Sequence, residues 1–342
     1  MHLLWSDEFE REGPADPAVW SHENGFVRNQ ELQWYQPANA MCKGGVLRIE
    51  GRKERVPNPK YVAGSTDWKT SRQYAEYTSS SITSSGRKTW QFGHIAVRAR
   101  LDAQAGSWPA IWTLGSRGEW PSNGEVDLME FYQVGGVPTI LANLAWGTAT
   151  RWQAKWNSKT RAYSTFTAKD PDWARKFHLW TMDWTRDSIV LRLDGAVLNA
   201  ASLAGTKNAD GTNPFQDRSQ YILLNLAMGG NGGDPSGARF PMLYEVDYVR
   251  VYQTGPVTTS ARPAPSNWSI RPEAGTPGMF VATRSGSESP ARLDIFDPSG
   301  RQVASHEFSA PSVHVDLRPQ ARGVYLVQLH EEGTVRSATV VR

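Results

Sequence analysis

The sequence predicts an all-β protein: an antiparallel sandwich over most of its length, then a linker and a small second β domain. Three observations carry this reading. Short segments in which apolar and polar residues alternate recur along the chain, with the two-residue period of half-buried strands. Gly, Pro, Asn and Asp separate them, so strand follows turn rather than helix, which points to antiparallel packing. No long amphipathic helical pattern interrupts the series.

In chain order the strands are VLRIEGRKE (46–54), FGHIAVRARL (92–101), EVDLMEFY (125–132), TILANLAW (139–146), FHLWTMDW (177–184), SIVLRLDG (188–195), YILLNLAMGG (221–230) and YEVDYVRVYQ (244–253). SIVLRLDGAVLN reads as a hairpin closing on Asp194-Gly195, a preferred two-residue turn. The texture then changes. TGPVTTSARPAPSN (254–267) is rich in Pro, Ser and Thr and reads as an extended linker. The domains expected are 1–253, this linker, and 268–342, where RLDIFD, VHVDL, VYLVQL and ATVVR are strands and DPSG (297–300) is a turn.

A chain of 342 residues has room for two such domains. Lys and Arg number 37 against 34 Asp and Glu, a net charge of +3, which predicts no affinity for nucleic acid or an anionic membrane surface. The partner expected is uncharged. No segment reaches the ~18 consecutive apolar residues of a membrane span. The opening MHLLWSDEFE lacks the basic start and apolar run of a secretory signal. A single cysteine, Cys42, excludes an internal disulfide and reads as a structural thiol.

Tryptophan numbers 15, more than Phe or Tyr at 11 each. GSWPAIW (106–112) and EWPSNGE (119–125) read as turn-rich sequence beside an acidic motif, where packing demands are weaker. Indole faces there suit a flat, uncharged ligand such as a pyranose ring.

That acidic motif is GEVDLMEF (124–131), with Glu125, Asp127 and Glu130 in an apolar strand. Side chains alternate along a strand, so Glu125 and Asp127 share a face and Glu130 falls on the other. One extra residue, a β-bulge near Leu128 and Met129, returns Glu130 to the face of the first two. Glu125 and Glu130 then lie roughly 13 Å apart at Cα. On a curved strand they can lean toward the ~5–5.5 Å that retaining glycosidases need. Asp127, between them, would carry or share a proton, because neighbouring carboxylates resist simultaneous ionisation. A solvated acidic face would leave the Trp-rich flanks and the Asn123-Gly124 turn as coincidence. A calcium cage would need a loop texture the motif lacks.

GEVDLMEF resembles the active-site strand of glycoside hydrolase family 16: Glu, an aliphatic residue, Asp, two apolar residues, Glu. LLWSDEF (3–9) resembles its opening strand, NQELQWY (29–35) its Asn/Glu/Gln/Tyr segment, and GSWPAIWTLG (106–115) the tryptophan stretch of laminarinase-like members. FHLWTMDW, YILLNLAMGG and YEVDYVRVYQ resemble later core strands, so the likeness covers residues 3–253. It implies a β-jelly-roll sandwich with a concave substrate cleft, acting as a monomer on a polysaccharide. The reaction implied is endo-hydrolysis of β-1,3- or mixed β-1,3-1,4-glucan with retention; an agarase, a carrageenase and a silent glucan-binding protein are the alternatives. Glu125 would be nucleophile, Glu130 acid then base, and Asp127 the helper, with no cofactor in the chemistry.

For substrate binding the resemblance points to Trp108, Trp112, Trp120 and Trp146, with Asn24 as a hydroxyl partner. Two departures stand out: Ser81 occupies a position where laminarinase-like members often carry Arg, and TILANLAWG has Asn143 and Trp146 where a histidine is common. Arg28, Arg72, Arg87 and Arg151 could form a local basic patch. The family's structural calcium would sit on Asp247, with Glu8 and Gly45 contributing. The tail, through LDIFDPSGRQV and GVYLVQL, resembles the sorting domains of bacterial type IX secretion. It implies a secreted or cell-surface enzyme that meets secretion machinery; an accessory glucan-binding domain is the rival.

Overall fold

The computed structural model describes residues 1–253, 268–273, 275–284, 289–297, 301–320, 324–331 and 334–342. The expected linker (254–267) and residues 298–300 of the expected DPSG turn lie outside the described residues. The chain divides into two compact units, Ser6–Arg250 and a second made of Met1–Trp5 with Val251–Arg342.

The larger unit is a jelly-roll sandwich of two antiparallel sheets. One sheet runs, in spatial order, Ala154–Ala162, Val137–Gly147, Glu125–Val134, Ser107–Gly115, Gln220–Met228, Ser81–Thr83 and Ser21–His22. The other contains Ala196–Ser202, Ser188–Leu193, His178–Trp184, Gly93–Leu101, Met242–Gln253 (to Arg250 within this unit), Leu47–Gly51 and Ala40–Cys42 in that order. Alternate residues of each strand are apolar and fully buried: Ile111, Val126, Leu144 and Leu224 in the first sheet, Val97, Trp180, Met182 and Leu191 in the second. The alternation read in the sequence is this division into a core face and an outer face. Cys42 is buried, and burial pushes its thiol up to about 11.

All eight strands expected in this unit form. The Ser188–Leu193 hairpin closes as anticipated: Leu193 opposes Ala196, and Asp194 and Gly195 have φ of +48° and +82°, the left-handed pair of a primed turn. GSWPAIW corrects the reading. It is no turn-rich segment; it opens Ser107–Gly115, the central strand of its sheet, with eight of nine residues buried. A strand covered on both faces reads as a continuous apolar run and loses the two-residue period. Pro109 is tolerated because pairing with Glu125–Val134 begins only at Ala110, leaving Pro109 laddered on one side.

In the smaller unit Trp268–Pro272, Met279–Arg284 and Ser312–Asp316 form one sheet. Gln302–Phe308, Ala291–Phe296, Val324–Glu331 and Thr334–Val341 form another. Phe280, Leu293, Ile295, Val315 and Val327 from both sheets share a single core. Among the described residues the α-helices are four residues each, and no helix is long and apolar enough to cross a membrane.

Candidate active site

The acidic strand carries the expected bulge. Against Val137–Gly147, Asp127 opposes Asn143 and Glu130 opposes Leu141, so Leu128 and Met129 together face Ala142. Against Ser107–Gly115, Met129 opposes Ile111 and Asp127 opposes Trp112, which leaves Leu128 over. One added residue reverses the parity. Glu125, Asp127 and Glu130 therefore line one cavity of about 510 Å³, while Leu128 and Met129 are buried.

Each carboxyl is gripped differently. Trp108, on the central strand, donates its Nε1–H to Glu130 Oε1 at 2.9 Å, and Asn143 Nδ2 donates to Glu130 Oε2 at 2.9 Å. Trp120, from the loop before the acidic strand, donates to Glu125 Oε2 at 2.5 Å. Asp127 is 1 % exposed, and its Oδ2 has no hydrogen-bond partner. A buried acceptor facing two other carboxyls has that position satisfied once a proton is shared among them.

Burial, with the Glu125 charge adding to it, pushes the Glu130 carboxyl up to about 7, against the pull of the Trp108 and Asn143 donors. Burial, then the charges of Glu130 and Glu125, hold Asp127 well above the usual carboxylate range. Burial also raises Glu125, opposed first by the Trp120 indole N–H. The trio thus holds a proton near neutral pH, and its members titrate together. An acid that can give up a proton stands beside a carboxylate that can take one or attack.

The cleft floor continues from the trio toward the amino-terminal loop. Trp112 donates Nε1–H to Asn225 Oδ1 at 2.6 Å, and Asn225 Nδ2 donates to Tyr35 at 3.2 Å. The Arg28 guanidinium lies 5.0 Å over the Trp112 ring and is held by Glu23. The Ser81 hydroxyl donates to that same Glu23 at 2.6 Å. Where laminarinase-like members often carry an arginine, this chain thus has a serine that bonds to the Glu23 carboxylate holding a loop-borne guanidinium.

The other expected site residues scatter. Trp108, Trp112 and Trp120 line the cavity; Trp146 and Asn24 do not. Trp146 is buried, three residues from Asn143 and so of opposite parity on the same strand. Asn24 is exposed, while Arg28 and Asn29 of the same loop reach the cavity. Among the described residues Arg28 is the one basic side chain lining the cavity, so the four arginines form no shared patch there: Arg72 stacks on Phe26, Arg151 pairs with Glu119, and Arg87 is exposed. Asp247 gives its carboxylate to Arg98, and Glu8 accepts two hydrogen bonds from Arg250 at 3.0 and 2.8 Å. Gly45 is half-buried with φ +75°. Of the donors expected for calcium, both carboxylates are thus paired with guanidinium groups, and no group of three or more His, Cys, Asp and Glu suited to a metal occurs among the described residues.

Glu31, from the NQELQWY segment matched to the family, also lines the cavity, as do Tyr132, Trp156, Ser158 and Asn225, which were not singled out in the sequence. Asn225 had a signal, a single amide inside the apolar run YILLNLAM. Trp156 and Ser158 had none, because their strand is short of apolar residues.

Comparison with known proteins agrees with this geometry. The profile of "Glycosyl hydrolases family 16" matches residues 49–250. A beta-glucanase of Rhodothermus marinus is 33% identical over 274 residues, covering 73% of this chain and 85% of that protein. Among solved structures, a variant of SCLam, a non-specific endo-β-1,3(4)-glucanase co-crystallised with 1,3-β-D-cellobiosyl-cellobiose, superposes with a TM-score of 0.59 at 34% identity, covering 74% of this chain and 94% of that one. A structure from work on endo-acting O-glycanases of the human gut microbiota, which initiate mucin breakdown, gives 0.66 at 32% identity over 74% of this chain and 90% of its own. With the matched region spanning the bulged acidic strand and both strands beside it, this chain belongs to glycosyl hydrolases family 16 and is a glycoside hydrolase.

Proposed function

We propose that the protein is a retaining endo-hydrolase of β-glucan, cutting β-1,3 and mixed β-1,3-1,4 linkages. The observation that supports this best is the bulge, which sets Glu125 and Glu130 in one cleft with the Glu130 carboxyl pushed up to about 7. Glu130 donates its proton to the glycosidic oxygen while the Glu125 carboxylate forms a bond to the anomeric carbon, and the leaving sugar departs with that proton. A water then gives a proton to Glu130 and its oxygen attacks the anomeric carbon, releasing Glu125. Asp127 exchanges proton density with both glutamates and keeps their charges out of step. The β-glucan substrate follows the relatives' printed activities, and the cleft's single guanidinium, already paired with Glu23, leaves no free cation for a sulfated galactan.

The test is a panel of laminarin, lichenan, agarose and carrageenan, with NMR of the first-formed product anomer. Release of β-anomer oligosaccharides from laminarin or lichenan is expected. Activity confined to agarose or carrageenan would replace the substrate, and first appearance of the α-anomer would remove retention. The small C-terminal unit is read as a sorting module for an exported enzyme. Its deletion should abolish secretion while leaving hydrolysis of soluble glucan unchanged; weaker retention on insoluble glucan would instead make it a binding module.

A further inference from the structure

Among the described residues two tryptophans are exposed, Trp152 at 54% and Trp156 at 48%. Lone exposed indoles are ordinary on protein surfaces. Trp156 is different because it lines the same cavity as Glu125 and Glu130, and Trp152 does not. Its strand, Ala154–Ala162, is the edge of the cleft sheet and otherwise carries Lys155, Asn157, Ser158, Lys159, Thr160 and Arg161, the polar cover expected of an edge. An indole on that polar edge, turned toward water inside a cleft, contributes nothing to the core.

The sheet register says where it stands. Glu125 opposes Ala145, and Ala145 opposes Trp156, so the three form one row on the cleft face. Two strand spacings put the Trp156 backbone roughly 10 Å from that of Glu125. On the other side of the acidic strand, Leu114 opposes Glu125 and Trp112 opposes Asp127. The carboxyls are therefore flanked by an indole on each side: Trp112 over the central strand, Trp156 on the edge strand. Ser158, in the row of Asn143 and Asp127, adds a hydroxyl beside Trp156.

We propose that Trp156 is a substrate-binding platform on the edge-strand side of the carboxyls, stacking on the apolar face of a neutral pyranose while Trp112 serves the opposite side. This rests on the reading of the cleft as a glycan site. A glycan held on both sides of the reacting bond is cut internally, so Trp156 determines how long a chain must be before it is cleaved well. The occupant follows from continuity with the active cleft, where the basic residue among the described lining, Arg28, is already held by Glu23.

The experiment measures kcat/KM for the full chain and its Trp156→Ala, Trp156→Phe and Trp152→Ala variants on a series running from disaccharide to hexasaccharide. The series is built from whichever polysaccharide the parent cleaves in the panel, so failure of the β-glucan reading shows as parent inactivity on laminarin and is read separately. The parent should gain rate stepwise as the chain lengthens. Trp156→Ala should lose one of those steps, about tenfold, with the shortest cleaved substrate unaffected and Phe restoring most of the loss. The proposal is overturned if Trp156→Ala keeps every step, if it loses rate equally at all lengths, or if Trp152→Ala loses the same step.

Discussion

The two sheets of the larger unit both bury acids, and they treat them in opposite ways. On the outer sheet Glu245, 3% exposed, lies between Arg48 at 3.0 Å and Arg100 at 2.5 Å. Asp183 accepts from His94 at 2.7 Å and Arg192 at 3.2 Å, and the His94 bond, opposed by partial burial and helped by Arg192, holds its carboxyl below the usual range. On the cleft sheet Glu125, Asp127 and Glu130 have indole and amide donors and one another, and all three are raised. Residue type and strand setting are alike; the counter-charge differs. An acid matched by cations serves the scaffold, whereas one matched by other acids keeps a proton within reach.

Charge removal should break the comparison most sharply. Glu125→Gln is expected to lower kcat by about 10⁴-fold or more, since it removes the proposed nucleophile, while Glu245→Gln leaves kcat near the parent value. Steady-state kinetics on the panel substrate distinguishes them. Stability should respond the other way. Glu245→Ala strands two partly buried guanidinium groups and should cost about 2 kcal/mol in urea unfolding, with the slope unchanged.

The pH response sharpens the contrast. The rate should fall about tenfold per unit as pH rises above about 7, where Glu130, the proposed general acid, loses its proton. Folding has the same sign: a carboxyl raised in the folded state contributes stability that is complete below its unfolded value and is lost as pH rises through its folded one. Glu130→Gln should therefore melt higher than the parent at pH 8 and lose that advantage below about 4.5. The smallest effect expected is on the outer sheet. Adding a chelator should leave the melting temperature unchanged, and Asp247→Asn should cost within about 1 kcal/mol, because Arg98 is only a partly exposed partner. A drop on chelation would mean that a cation, rather than guanidinium, balances Glu8 and Asp247.

The acidic strand was legible because its chemistry is local: three acids, their spacing and one inserted residue decide which face they share. The eight strands of the sandwich were legible for the same reason, through alternation. What escaped depends on register between distant segments. Trp156 reaches the cleft because Ala154–Ala162 pairs with Val137–Gly147, and nothing inside KWNSKT announces that pairing. Trp108 and Trp112 were named as ligands through the family resemblance, but their strand was misjudged, since burial on both faces erases the period that marks a strand. Trp146 failed by parity, being an odd number of residues from Asn143. The pairing of Asp247 with Arg98 was out of reach for the same reason, since the two lie 149 residues apart.

The inserted residue at Leu128 and Met129 has a further consequence. Beyond it the destinations swap, so Phe131 is buried at 2% while Tyr132 opens onto the cleft. The segment from Asp127 to Val134 behaves like a reading frame: losing or gaining a single position there would send Phe131 into water and Glu130 into the hydrophobic interior together. Catalytic competence and folding are thus tied to one count of residues, and length variation in this enzyme has to be found at its hairpin tips.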